Sequence, residues 1–158
     1  MKKLLKFSSV LAIIAGIVLV CGSLWGIGFI NKNIAREKIV TPDDASIPSV
    51  PLKGPFTLKA QADIIWKHAL DGAGGKTYAE MPRLIPQVDS NGEEIVDAEG
   101  KPVMVSNQAR NTWVTATTLI TALNLGILTY VFSGLVLLIG LISIWTGIIF
   151  WALSKKFN

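Results

Sequence analysis

The chain has 158 residues, 51% of them hydrophobic, with a mean hydropathy of +0.50. That is too apolar for an ordinary soluble domain, where roughly 45–50% apolar and about 25% charged residues are usual. All 11 acidic residues lie between Glu37 and Glu99, and 10 basic ones between Lys32 and Arg110, while Lys2, Lys3, Lys6, Lys155 and Lys156 hold the tails; the net +4 therefore belongs to the tails and does not point to nucleic acid, and the lone Cys21 excludes an intrachain disulfide or a thiolate metal cluster.

The first element is an uncharged run from Phe7 to Ile30, 24 residues with 13 Leu, Ile, Val or Phe. As a helix it is roughly 36 Å long, enough to cross a hydrocarbon core of about 30 Å. A cleaved signal peptide needs an apolar core of only about 7–15 residues and a small-residue cleavage site. A lipoprotein site at Cys21 is opposed by the bulky Val20 before it. The run therefore predicts a retained transmembrane helix over 7–31, after a cytoplasmic tail at 1–6.

An extracytoplasmic domain is expected over 32–112. Lys32 to Lys38 extends the first helix briefly. The stretch from Thr41 to Pro55 holds Pro42, Pro48, Pro51 and Pro55 and predicts an extended linker lying on a surface. Thr57 is the expected N-cap of a short amphipathic helix over 58–71, with Leu58, Ala62, Ile65 and Ala69 on one face and Gly72 as its stop. Two Asp-x-x-Gly turns, Asp89–Gly92 and Asp97–Gly100, flank Glu93-Glu94-Ile95-Val96 and predict a β-hairpin or small meander.

From Asn111 to Ser154 no charge occurs for 44 residues, nearly twice what one span requires. The run is either one long helix or two spans. No Pro, Asn-Gly or Asp-Gly turn interrupts it, and a third span would put Lys155 and Lys156 outside, against the positive-inside bias. One continuous helix is expected, with 113–130 standing outside the membrane, a span over 131–153 and a cytoplasmic tail at 154–158. Small residues recur every seven positions: Gly126, Ser133, Gly140 and Gly147 in this helix, and Ser9, Gly16 and Ser23 in the first. Such a period keeps one face aligned in a left-handed crossing, where small residues let backbones approach. The outer stretch is rich in threonine, whose hydroxyl can bond a carbonyl one turn back and so tolerate an apolar setting. An apolar helix in water must be covered; Trp113, Leu119, Leu123, Tyr130 and Trp66 are the candidates to face a partner.

Chemistry is sparse. Gly74-Gly75-Lys76-Thr77 lacks the glycine that a phosphate-binding loop needs five positions before Gly75, where Leu70 stands. The turn at Asp89, Asn91 and Glu93 departs from a calcium loop because Gly92 arrives two residues early. His68 is the only histidine, with Asp63 and Asp71 nearby in sequence, too few ligands for a usual zinc or iron site. No nucleotide, nucleic acid, metal or other cofactor is expected.

The segments Gly54-Pro55-Phe56-Thr57, Gln61-Ala62-Asp63-Ile64-Ile65, Lys67-His68 and Gly74 to Glu80, with Trp113 to Thr118 and Ala122 to Gly126, resemble a group of small actinobacterial membrane proteins. Those proteins often carry an inherited label, aromatic ring-opening dioxygenase of the LigA type. Ring-opening dioxygenases hold iron through ligands that include histidines, and His68 alone does not match that label. The resemblance implies a plasma-membrane location and no catalytic residues.

The expected fold is mainly α: a helical hairpin of two transmembrane helices, the second long, carrying a small α+β outer domain. The leading expectation is a non-enzymatic accessory subunit of a larger envelope or respiratory complex, binding a membrane-protein partner. The alternatives are a homo-oligomeric scaffold or pore packed through the small-residue seams, and an enzyme centred on His68.

Overall fold

The computed structural model describes residues 1–156. Its elements are α1 (Lys2–Arg36), α2 (Gly54–Gly72), β1 (Leu84–Pro86), β2 (Met104–Ser106) and α3 (Gln108–Lys156). The fold is a mainly helical hairpin with a small α+β domain, as the composition and periodicity predict. Both α1 and α3 are long and apolar enough to cross a membrane, and are compatible with a membrane protein.

The helix α3 runs unbroken for 49 residues, about 73 Å, against 35 residues and about 52 Å for α1. It starts earlier than the uncharged run suggests, because Asn107 caps it. The Asn107 Oδ1 accepts the Ala109 amide N–H at 3.1 Å, satisfying one of the helix's orphan donors. The same side chain donates from Nδ2 to the Pro82 carbonyl at 3.1 Å, which ties the helix start to the chain ahead of β1.

The two long helices pack antiparallel along the small-residue seam. Ser9, Gly16 and Ser23 are the buried residues of α1; Ala116, Gly126, Ser133, Gly140, Gly147 and Ser154 are those of α3. A seven-residue spacing thus marks the contact line. The backbones approach so closely that a Cβ on Gly147 would stand 2.9 Å from the Ser9 carbonyl oxygen. Ser9 Oγ donates to the Gly147 carbonyl at 2.7 Å and Ser143 Oγ to the Ala12 carbonyl at 3.0 Å. Between apolar helices such bonds are worth about 0.6 kcal/mol each.

The linker after α1 is not extended. Lys38, at φ 52°, turns the chain out of the helix. Residues 39–52 then fold back on themselves: Thr41 N–H donates to Val50 O at 2.9 Å, Ser49 N–H to Thr41 O at 3.0 Å, and Leu52 N–H to Ile39 O at 3.0 Å. Thr41, Ala45 and Leu52 are buried. The loop closes because it has apolar residues to bury and because Val40 pairs with Pro51 at its neck; proline content alone reads as an extended strand.

The helix α2 begins before Thr57. Pro55 fits the first turn, where no amide N–H is required, so the helix starts at Gly54 with Lys53 as its N-cap residue. Thr57 Oγ1 instead accepts the Lys53 N–H at 2.7 Å, from within the helix. At the other end, Gly75 N–H donates to Leu70 O at 2.9 Å and Gly74 N–H to Asp71 O at 3.0 Å, with Gly74 at φ 63°. This is a Schellman stop, and it accounts for Gly74-Gly75 without any ligand.

Between Leu84 and Ser106 the chain forms more than a hairpin. β1 and β2 pair antiparallel, with Leu84 opposite Ser106. The intervening segment joins both: Gln87 N–H donates to Val103 O, Val103 N–H to Ile95 O, and Ile95 N–H to Gln87 O, at 2.7, 2.8 and 2.8 Å. Three short extended segments thus close a cycle, eight residues apart. Two like turns link them. Asp89 Oδ1 accepts the Asn91 and Glu93 amides; Asp97 Oδ1 accepts those of Glu99 and Lys101. Asp89, which resembles a calcium ligand, is occupied by the backbone of its own turn.

Candidate interaction surface

The part of α3 beyond α1 is where the fold leaves surface to be used. α2 covers one side of it, and Leu58, Ala60, Ala62 and Ile64 of α2 are buried. Gly126 marks the junction: a Cβ there would stand 3.1 Å from Leu58 Cδ1 and 3.9 Å from Ile30 Cδ1, so α1, α2 and α3 meet at this glycine.

The other side of α3 is bare. Val114, Thr118, Thr121, Leu125, Leu128 and Phe132 are all exposed, and they follow one another at spacings of four and three. That alternation lays one straight stripe along a helix. Leu125, Leu128 and Phe132 are 57%, 60% and 65% exposed. The threonines of the stripe do not offer their hydroxyls outward: Thr118 Oγ1 donates to Val114 O at 2.9 Å and Thr121 Oγ1 to Thr117 O at 2.8 Å. Thr112, Thr115 and Thr129 do the same one turn back. Their donors are used within the helix, and the stripe is apolar in effect.

The residues expected at an interface fall into two sets. Ser9, Gly16, Ser23, Gly126, Ser133, Gly140 and Gly147 are all buried within this one chain. Of the outer candidates, Leu119 and Trp66 are each 49% exposed. Trp113 and Leu123 are part-buried. Tyr130 turns to the chain's own first helix and donates its hydroxyl to Asn31 Oδ1. Sequence reasoning missed Val114, Leu125, Leu128 and Phe132, although their 4-3-4 spacing is visible in the chain.

His68 pairs with neither Asp63 nor Asp71. Its Nε2 lies 2.8 Å from Asp44 Oδ2, on the loop between α1 and α2, and Lys67 Nζ lies 3.9 Å from the same oxygen. The hydrogen bond from His68, reinforced by the charges beside it, holds the Asp44 carboxyl below the usual aspartate range. Asp63 is bound to Lys59, one turn before it. The His68–Asp44 contact thus fastens the loop to α2. At the far end of the domain, Arg110 sits 3.8 Å over the Tyr78 ring and donates to Met81 O at 2.6 Å, which fastens the segment after α2 to the start of α3. Among the described residues no three His, Cys, Asp or Glu side chains converge to hold a metal ion.

Compared with known proteins, the chain matches no family model, no curated protein and no solved structure.

Proposed function

We propose that this protein is a two-pass plasma-membrane accessory subunit without catalytic activity, both termini cytoplasmic, that binds a helix of a partner membrane protein along the bare stripe of α3. It belongs, on this reading, with the small actinobacterial membrane proteins it resembles, and serves a larger envelope or respiratory complex.

The observation that carries the proposal is the stripe from Val114 to Phe132, apolar, straight and uncovered. Exposed apolar stripes of this kind mark interaction surfaces. Spacings of three and four residues suit a partner helix crossing at a shallow left-handed angle. The membrane frame is supported by tryptophans. Ser9 faces Gly147 and Gly16 faces Gly140, which sets Trp151 near the level of Leu5. Exposed Trp25 then stands roughly 20 residues, or about 30 Å, from exposed Trp151 along the hairpin axis, the span of a hydrocarbon core. In this frame the stripe above Phe132 lies in water.

A homo-oligomer built on the glycine and serine seams is disfavoured, since α1 and α3 of one chain already fill those seams against each other. The test is purification of the tagged full-length chain from native membranes in mild detergent. A partner membrane protein is expected in stoichiometric amount, lost on Val114→Glu with Leu128→Glu, two exposed stripe positions. A monodisperse wild-type monomer overturns the proposal.

A further inference from the structure

A second feature lies where α1, α2 and α3 meet. A cavity of about 600 Å³ opens there, within the size range of small-molecule sites. Its walls are Ile34 of α1, Leu58 and Ile65 of α2, and Leu123 of α3. Four polar residues break the apolar lining: Asn33 and Thr129, whose donors bond the backbone of their own helices, Gln61 of α2, and Glu37 at the end of α1. Gln61 Oε1 is, among the described residues, the one buried side-chain oxygen or nitrogen without a hydrogen-bond partner. An acceptor buried without a donor is costly, which argues that a donor arrives from outside the chain.

The position of the cavity limits what that can be. Its lower wall includes Ile30 and Gly126. Ile30 is the last residue of the uncharged run of α1, about 7 Å beyond Trp25 along the helix. On the membrane reading above, the cavity therefore stands at the level of the outer headgroups, and its apolar walls continue the lipid-facing surface below. An occupant that enters from the bilayer, fills an apolar slot and ends in hydrogen-bond donors beside a carboxylate is a lipid with an amine headgroup.

We infer that this cavity takes one acyl chain of an outer-leaflet aminophospholipid, with the ammonium group held by Glu37 and the Gln61 side-chain oxygen. The bound lipid wedges between α1, α2 and α3, and gives the small outer domain a membrane-derived core. The inference rests on the membrane frame but on no protein partner, so loss of partner binding and loss of lipid binding are read separately.

The test uses the full-length chain in proteoliposomes containing phosphatidylethanolamine with a photoactivatable diazirine in the acyl chain. Adducts are mapped by peptide mass spectrometry. They are expected to concentrate on residues 52–65 and 119–129, above the level at the exposed residues within 135–142, Leu135, Leu138, Ile139, Leu141 and Ile142. Ala122→Trp places a bulky ring at the cavity wall and should cut the cavity adducts by about fivefold while leaving those at 135–142 unchanged. Glu37→Lys, at an exposed position, should lower them similarly without disturbing the hairpin. Adducts no denser in the cavity than on the lipid-facing residues overturn the inference. So do cavity adducts that neither substitution changes.

Discussion

Gly16 and Gly140 face each other across the hairpin at backbone contact: a Cβ on Gly16 would stand 2.6 Å from the Gly140 carbonyl oxygen, and one on Gly140 would stand 3.0 Å from the Gly16 carbonyl oxygen. Neither neighbour is a side chain that can swing away. The hairpin as built therefore depends on both residues lacking a Cβ.

Gly140→Leu should separate the helices, at a cost of the overpacking order, about 1–3 kcal/mol or more. Gly22 and Gly134 lie on helical faces with nothing within 4 Å of an added Cβ, so Gly22→Ala and Gly134→Ala should be neutral or slightly stabilising, alanine being the better helix former. Denaturant titration in detergent, followed by circular dichroism, distinguishes the two classes. Equal midpoints for all of them would show that the seam is not the packing line.

Ser9→Ala removes the hydroxyl that Ser9 donates to the Gly147 carbonyl. The expected loss is about 0.6 kcal/mol, and at most about 1.7 kcal/mol. The same titration reads it. A loss no smaller than that of Gly140→Leu would mean that the bond, rather than the close approach, holds the hairpin.

Asn107→Ala should fray the first turn of α3 and release β2, since Asn107 both caps the helix and bonds Pro82. The cap alone is worth about 1 kcal/mol. Hydrogen exchange should rise at residues 104–112 and stay unchanged within the hairpin below Gly126.

The loop of residues 39–52 should loosen in acid. Asp44 is ionised more readily in the folded chain than in the unfolded one, chiefly through the His68 hydrogen bond. A depressed carboxylate pKa gives stability that is fully present above the unfolded value, about 3.9, and is lost as pH falls below it. The protection of the amides of residues 39–52, taken relative to the intrinsic exchange rate at each pH, should therefore fall at acid pH, and Asp44→Asn should reduce that pH dependence. An unaltered pH profile in Asp44→Asn would remove the contact as its cause.

Much of this architecture is legible in the chain because long charge-free helices obey simple rules. Charge-free length marks the two apolar helices, and the seven-residue spacing from Ser9 to Ser23 and from Gly126 to Gly147 marks the face on which they meet. The parts that were not legible depend on partners distant in sequence. Nothing local tells that Thr41 bonds back to Val50, or that His68 meets Asp44 across 24 residues in preference to Asp63 or Asp71. The start of α2 is ambiguous in the sequence because two residues there suit a helix start, Pro55 and Thr57; the proline prevails and the helix begins at Gly54. The cavity at Gln61 arises from three helices converging, which no single stretch of sequence encodes.

The most direct test of the central claim is cysteine accessibility in a Cys21→Ala background, with a membrane-impermeant maleimide applied to intact cells. Ser90→Cys, on the exposed tip of the outer domain, should label without permeabilisation. Thr121→Cys, in the middle of the bare stripe, should be protected in native membranes and reactive once the chain is purified alone. Labelling of Ser90→Cys only after permeabilisation would contradict the topology. Full reactivity of Thr121→Cys in native membranes would show that no partner covers the stripe.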